Sequence, residues 1–122
     1  MTIDTNILIA HLQGDESVIT ALSVWKLSGR MLLISSIVRA EVLSRADLTD
    51  SDIEEILKFI GNFSSVPFDD RIAELAGKLR REYHITLPDA GIAATALFHS
   101  TPLVTRNQKD FKKVADLQIV SI

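Results

Sequence analysis

The chain has 122 residues, no cysteine, 47% hydrophobic residues and a formal net charge of −3. This length suits one domain over residues 1–122, and the apolar fraction excludes a disordered or low-complexity chain. The missing cysteines exclude disulfide frameworks, thiolate zinc sites, Fe–S clusters and cysteine nucleophiles. In chain order, Met1–Asp4 reads as a truncated strand and Thr5–Leu12 as a short helix ended by Gly14. Asp15–Leu27 carries Val18, Ile19, Leu22 and Trp25 at helical spacing and stops at Gly29. Met31–Ile34 is a short apolar run, hence a buried strand, and Ser36–Arg45 a helix with Ser36 as its N-cap. Thr49 or Asp50 caps a helix through Ile60, Ser65–Pro67 is a brief strand, and Asp69–Tyr83 is helical, with Ile72, Leu75, Ala76 and Leu79 on one face. Pro88–His99 is an Ala-rich apolar helix with a favourable Pro-Asp start. Leu103–Thr105 reads as a strand, Asn107–Val114 as a helix and Gln118–Ile122 as a last strand. Short apolar strands joined by helices predict an α/β fold, a parallel sheet with helices on each side and right-handed crossovers.

Ligands of such sheets bind outside the carboxyl ends of the strands. The residues that follow the apolar runs are Asp4-Thr5-Asn6, Ser35-Ser36 with Glu41 farther along the helix, Asp89 in the first turn of its helix, and Thr105-Arg106-Asn107 with Asp110. Acids far apart in sequence are thus expected at one edge, where they repel and raise one another's pKa. A divalent cation relieves that repulsion, and an all-oxygen donor set favours a hard ion such as Mg²⁺ or Mn²⁺. Each acid also has a simpler reading. Asp4 serves as an N-cap, Glu41 as a solvated side chain, Asp89 as a complement to the helix dipole, and Asn107 with Asp110 as a capping-box variant. The simpler readings leave unexplained why the acids fall at sheet-edge positions in one consistent order. His11, His84 and His99 show no paired ligand spacing, and there is no glycine-rich phosphate loop or serine nucleophile elbow. Lys109, Lys112 and Lys113 lie near Arg106 as a local phosphate-binding patch or, more simply, a solvated face. The chain is mildly acidic, so a polyanion would have to be attracted by a metal or a local basic patch. No apolar run approaches the ~20 residues that span a bilayer, and the N-terminus lacks a basic leader region, so a cytoplasmic location without membrane contact is expected.

Four segments together carry a resemblance: IDTNILIA at 3–10, ISSIVRAEVL at 34–43, LPDAGIAATAL at 87–97 and LVTRNQKDF at 103–111. The chain resembles the PIN-domain family, in particular the VapC-type toxin ribonucleases of type II toxin–antitoxin pairs. The segments keep the family's order and span nearly the whole chain, and LPDAGIAATAL is the most specific of them. The resemblance implies a PIN-like three-layer α/β/α sandwich around a short, mainly parallel sheet, and Mg²⁺- or Mn²⁺-dependent cleavage of RNA phosphodiester bonds. Asp4, Glu41 and Asp89 match the family's acidic catalytic metal ligands. The fourth acidic position falls at Asn107, a neutral amide that contributes less to cation binding, with Asp110 as a supplement directly or through water. Thr5, Asn6, Ser36 and Thr105 beside the acids take orienting or phosphate-contacting roles, and Arg106 a substrate-phosphate role. The resemblance also implies a cognate antitoxin and a homodimer, and the apolar helix faces around Ile53–Ile60 and Ile72–Leu79 are compatible with a dimer surface. The alternative is a PIN-like domain that binds RNA or a partner without cutting, which Asn107 keeps open. A haloacid-dehalogenase-type phosphatase is disfavoured because Asn6 stands where a second acid is needed. A receiver domain is disfavoured because Phe68-Asp69-Asp70 lack the expected phosphoacceptor surroundings.

Overall fold

The computed structural model describes residues 1–122. Five strands form one fully parallel sheet: β1 (Thr2–Ile3), β2 (Leu33–Ser35), β3 (Ser64–Val66), β4 (Leu103–Val104) and β5 (Ile119–Val120). Their order across the sheet is β3-β2-β1-β4-β5. Seven helices connect and follow them: α1 (Thr5–Leu12), α2 (Glu16–Leu27), α3 (Ser36–Val42), α4 (Asp50–Ile60), α5 (Asp70–Tyr83), α6 (Leu87–Phe98) and α7 (Gln108–Phe111). The chain winds outward from β1 through β2 to β3, then crosses back to β4 and winds the other way. Right-handed crossovers therefore send the earlier helices to one face and the later ones to the other, the expected α/β/α layering. The direction of winding reverses between β1 and β4, and a crevice at the carboxyl ends of such neighbours is the default ligand position.

The central strand is as short as the sequence suggests, and its backbone is paired. The amide of Thr2 donates to Pro102 O at 2.9 Å and that of Asp4 to Val104 O at 3.0 Å, while the α-amino group donates to Met31 O. Helix stops at Gly14 and Gly29 use left-handed backbone, φ 86° and 80°, where a Cβ is strained. α6 is buried nearly all round, from Ala90 through Ala96, as expected of a helix without a polar face. Its small residues permit close approach. A Cβ added at Gly91 would collide with Ile37 Cδ1 of α3 and lie 3.2 Å from Phe68 Cε2.

Several boundaries differ from expectation for identifiable reasons. α3 is capped by Ser35, whose hydroxyl accepts from Ile37 N, because the Ser36 hydroxyl accepts from Phe68 N at 2.8 Å instead. The helix ends at Val42 rather than Arg45, where Ser44 Oγ takes the carbonyl of Glu41. Thr49, with Asp52, closes a full capping box on α4. α6 begins one residue earlier than expected, at Leu87 with Thr86 as its cap, and the Pro-Asp pair stands in its first turn as the sequence suggests. The expected helix over Asn107–Val114 contracts to one turn, and Asn107 makes no capping bond. The apolar faces of α4 and α5 are not free, since Ile56, Ile60, Ile72 and Leu79 are buried within the chain. Leu57 of α4 stays exposed, as do Leu27, Met31, Phe68, Leu87 and Phe98 on other parts of the chain.

Candidate functional site

The carboxyl ends of β1 and β4 meet through side chains. Asp4 caps α1: its Oδ1 accepts from Thr5 N at 2.8 Å. Its Oδ2 accepts from Thr105 Oγ1 at 2.6 Å and from Asn6 Nδ2 at 2.9 Å. The Thr105 hydroxyl, fully buried, also accepts from Asn107 N at 2.9 Å and Asn6 Nδ2 at 3.3 Å, which uses its whole hydrogen-bonding capacity. Asn6 Oδ1 in turn accepts from Arg106 N at 3.2 Å. Asp4, Thr5, Asn6, Thr105 and the backbone of residues 106–107 thus form one network across the winding reversal. Glu41 joins it through Thr5, whose Oγ1 donates to Glu41 Oε1 at 2.7 Å.

Asp4 is 4% exposed, and burial is the largest influence on its carboxyl. Its hydrogen bonds to Thr105 and Thr5 favour the charged form. Desolvation, with the negative charges of Asp89 and Glu41 acting in the same direction, outweighs them and raises the pKa to about 6. The half-buried Asp89 is raised as well, first by desolvation and then by the charges of Glu41 and Asp110, against a favourable bond from Thr86. Asp4 and Asp89 therefore each feel the charge of other acids at this edge, the arrangement expected where a cation is wanted.

The donor chemistry fits a hard divalent ion, being carboxylate, amide and hydroxyl oxygens throughout. As the side chains stand, no three of the chain's Asp, Glu and His groups are gathered into one coordination shell. Mg²⁺ commonly keeps several waters, and waters can span such gaps. Asn107 lies beside Asp110, and its Nδ2 donates to Asp110 Oδ2 at 3.0 Å. That bond replaces the expected capping-box pattern, because the acid faces an amide side chain rather than a backbone N–H. Two expected residues face elsewhere. The Ser36 hydroxyl braces Phe68, as above. The Arg106 guanidinium reaches Asp15 at the start of α2, with Nη2 2.8 Å from Oδ2. The sequence marks Asp15 only as a helix start, and no spacing rule connects residues 91 positions apart.

With this geometry in view, likeness to known proteins is decisive. The PIN-domain family profile matches residues 1–117. The chain belongs to the PIN-domain family. It is 31% identical over 121 residues to ribonuclease VapC19 of Mycobacterium tuberculosis, covering 95% of each chain. A toxin–antitoxin complex from Klebsiella pneumoniae contains a chain that matches at 34% identity with a TM-score of 0.83, covering 98% of this chain and 94% of that one. VapBC2 from Rickettsia felis, bound to a DNA fragment from its promoter, matches at 25% identity with a TM-score of 0.87, covering 99% and 97%. The α/β PIN fold and the VapC likeness expected from the four sequence segments are borne out.

Proposed function

We propose that this PIN-domain chain is a metal-dependent endoribonuclease that hydrolyses RNA phosphodiester bonds, the toxin of a VapBC-type pair. The observation that carries the reading is Asp4: a buried carboxylate at the winding reversal of the sheet, pushed up to about 6 by burial and by neighbouring acids. Its resemblance to VapC ribonucleases over nearly all of its length supports the chemistry. Asp4, Glu41 and Asp89 are the residues that would hold Mg²⁺ or Mn²⁺, with Asp110 and the Asn107 carbonyl oxygen beside them. Bound there, the ion would lower the pKa of a water and offset charge on the phosphoryl oxygens. Thr105 and Asn6 hold the Asp4 carboxylate in one orientation, and Thr5 does the same for Glu41. No histidine base belongs to this arrangement. The antitoxin partner is argued from the toxin–antitoxin complexes among the structural neighbours. A homodimer and a cytoplasmic location complete the proposal, and no helix is long and apolar enough to cross a membrane.

The bond from Asn107 to Asp110 favours a second reading, a domain that binds RNA without cutting it, because it engages an acid that a second cation would need. Cleavage of a labelled mixed RNA pool separates the two. Purified chain is assayed with Mg²⁺, with Mn²⁺, with EDTA and as Asp89→Asn. Metal-dependent cleavage that is lost in the variant supports the nuclease. Folded, antitoxin-free chain that retains RNA but leaves it whole under both metals supports the binding domain.

A further inference from the structure

The basic residues that follow the site differ in how they are held. Lys109, Lys112 and Lys113 are exposed and pair with no carboxylate, whereas Arg106 is fixed at both ends. Its backbone amide donates to Asn6 Oδ1, two hydrogen bonds away from Asp4. Its guanidinium is held by Asp15, whose carboxylate cannot swing freely. Asp15 Oδ1 accepts from Ser17 N, Ser17 Oγ and Val18 N, which leaves Oδ2 directed at Arg106. The hydrogen bonds from Ser17 and Arg106 hold the Asp15 carboxyl down at about 2, so it remains charged across the physiological range. Only Nη2 of Arg106 is engaged, with Asp15 and, at 3.4 Å, with Ser17 Oγ. Nε and Nη1 remain free donors on a side chain that is 39% exposed.

We infer that Asp15 is a positioning residue: it orders Arg106 at the rim of the acid site so that the guanidinium's free donors meet an RNA phosphate. The inference rests on the RNA reading above and extends it to a residue outside the acid cluster. A free arginine loses rotamer freedom when it binds phosphate, whereas one already held by a fixed carboxylate loses less. The negative charge of Asp15 acts against this, since it repels a polyanion. The two effects can be separated, because ordering acts through Arg106 and repulsion does not.

The test is a double-mutant cycle on the binding of short labelled single-stranded RNA, in an Asp89→Asn background so that the probe stays intact. Asp15→Asn retains the helix cap, since Asn caps as well as Asp. Arg106→Gln is expected to weaken binding about tenfold, the scale of one charge-assisted phosphate contact. Asp15→Asn is expected to weaken it about two- to fivefold when Arg106 is present, the range of an exposed ion pair. With Arg106→Gln already in place, Asp15→Asn is expected to leave binding unchanged or tighten it. In the cleaving chain, the same Asp15→Asn change should raise KM and leave kcat alone. Tighter binding on Asp15→Asn with Arg106 present, or an equal change in both backgrounds, overturns the inference while leaving the nuclease intact. Absence of RNA binding in every chain, Arg106 included, overturns the RNA reading and the inference with it.

Discussion

Asp4 and Asp15 occupy the same kind of local position and behave in opposite ways. Each precedes a helix and caps it by accepting a backbone amide of the first turn. Asp15 stands in the open turn between α1 and α2, and its hydrogen bonds hold it down at about 2. Asp4 stands at the buried end of the central strand, and desolvation raises it to about 6 despite comparable hydrogen bonding. A capping role is therefore compatible with a functional one, and burial among other acids separates them. The simpler reading of Asp4 as an N-cap is correct, and the fold adds a burial among acids that a cap does not require. Local sequence specifies the cap, while the fold determines what else the carboxylate does.

The contrast breaks most completely with Asp4→Asn. The substitution keeps the cap and removes the charge, so cleavage is expected to disappear while the fold persists. Stability should move the opposite way. From the ordinary value near 3.8 up to about 6, the folded chain retains a proton that the unfolded chain has released, so stability falls as pH rises through that window. The whole shift corresponds to about 3 kcal/mol at neutral pH. An Asn that keeps its oxygen on Thr5 N turns its NH2 toward the Thr105 and Asn6 donors, so the two bonds are lost and the gain at pH 7 is reduced to about 1 kcal/mol or less. Denaturant titrations at pH 4 and pH 7 would check this. The gain should vanish at the lower pH, and an equal gain at both would mean that the buried charge is not its source.

A smaller effect on cleavage is expected at Gly91, where α6 meets α3, the helices that carry Asp89 and Glu41. Gly91→Val forces a side chain into the space of Ile37 Cδ1 and Phe68. It should cost about 1–3 kcal/mol from overpacking and lower kcat by moving the helix that bears Glu41. Thermal unfolding and cleavage rates measure the two effects, and a variant of unchanged stability and rate would show that the contact is slack. The smallest effect belongs to Asp15. Its carboxyl is held low, so what it contributes to stability is present above pH 4 and lost as pH falls toward 2. Acid unfolding of Asp15→Asn should begin at slightly different pH from that of the parent chain, while the two coincide in stability changes between pH 5 and pH 8.

Much of the molecule is legible in the sequence, and for physical reasons. Apolar periodicity and turn residues place the helices and strands in the right order, because those signals are local, while the caps of α3 and α7 are misread. The rule that sites lie beyond strand carboxyl ends points to Asp4, to Thr105 and, within the helix after β2, to Glu41, whereas Asp89 opens α6 directly after another helix and follows no strand. Pairings across the fold are not legible. The roles of Ser36 as a brace for Phe68 and of Asp15 as a holder for Arg106 depend on loops meeting in space. The Asn107–Asp110 contact is visible as spacing, but its chemistry is not, because the same spacing serves a backbone cap or a side-chain pair. The apolar faces of α4 and α5 are only partly legible, since periodicity marks Ile56, Ile60, Ile72 and Leu79 without revealing that the chain itself buries them while Leu57 stays exposed.

The most direct test of the central claim is a titration of the Asp4 carboxyl carbon by NMR, with and without Mg²⁺. A midpoint near pH 6 is expected in the absence of the ion, with a marked fall when Mg²⁺ is added and Asp89 moving in the same direction. An ordinary carboxylate midpoint near 4, unmoved by Mg²⁺, would contradict it and leave Asp4 as a helix cap alone.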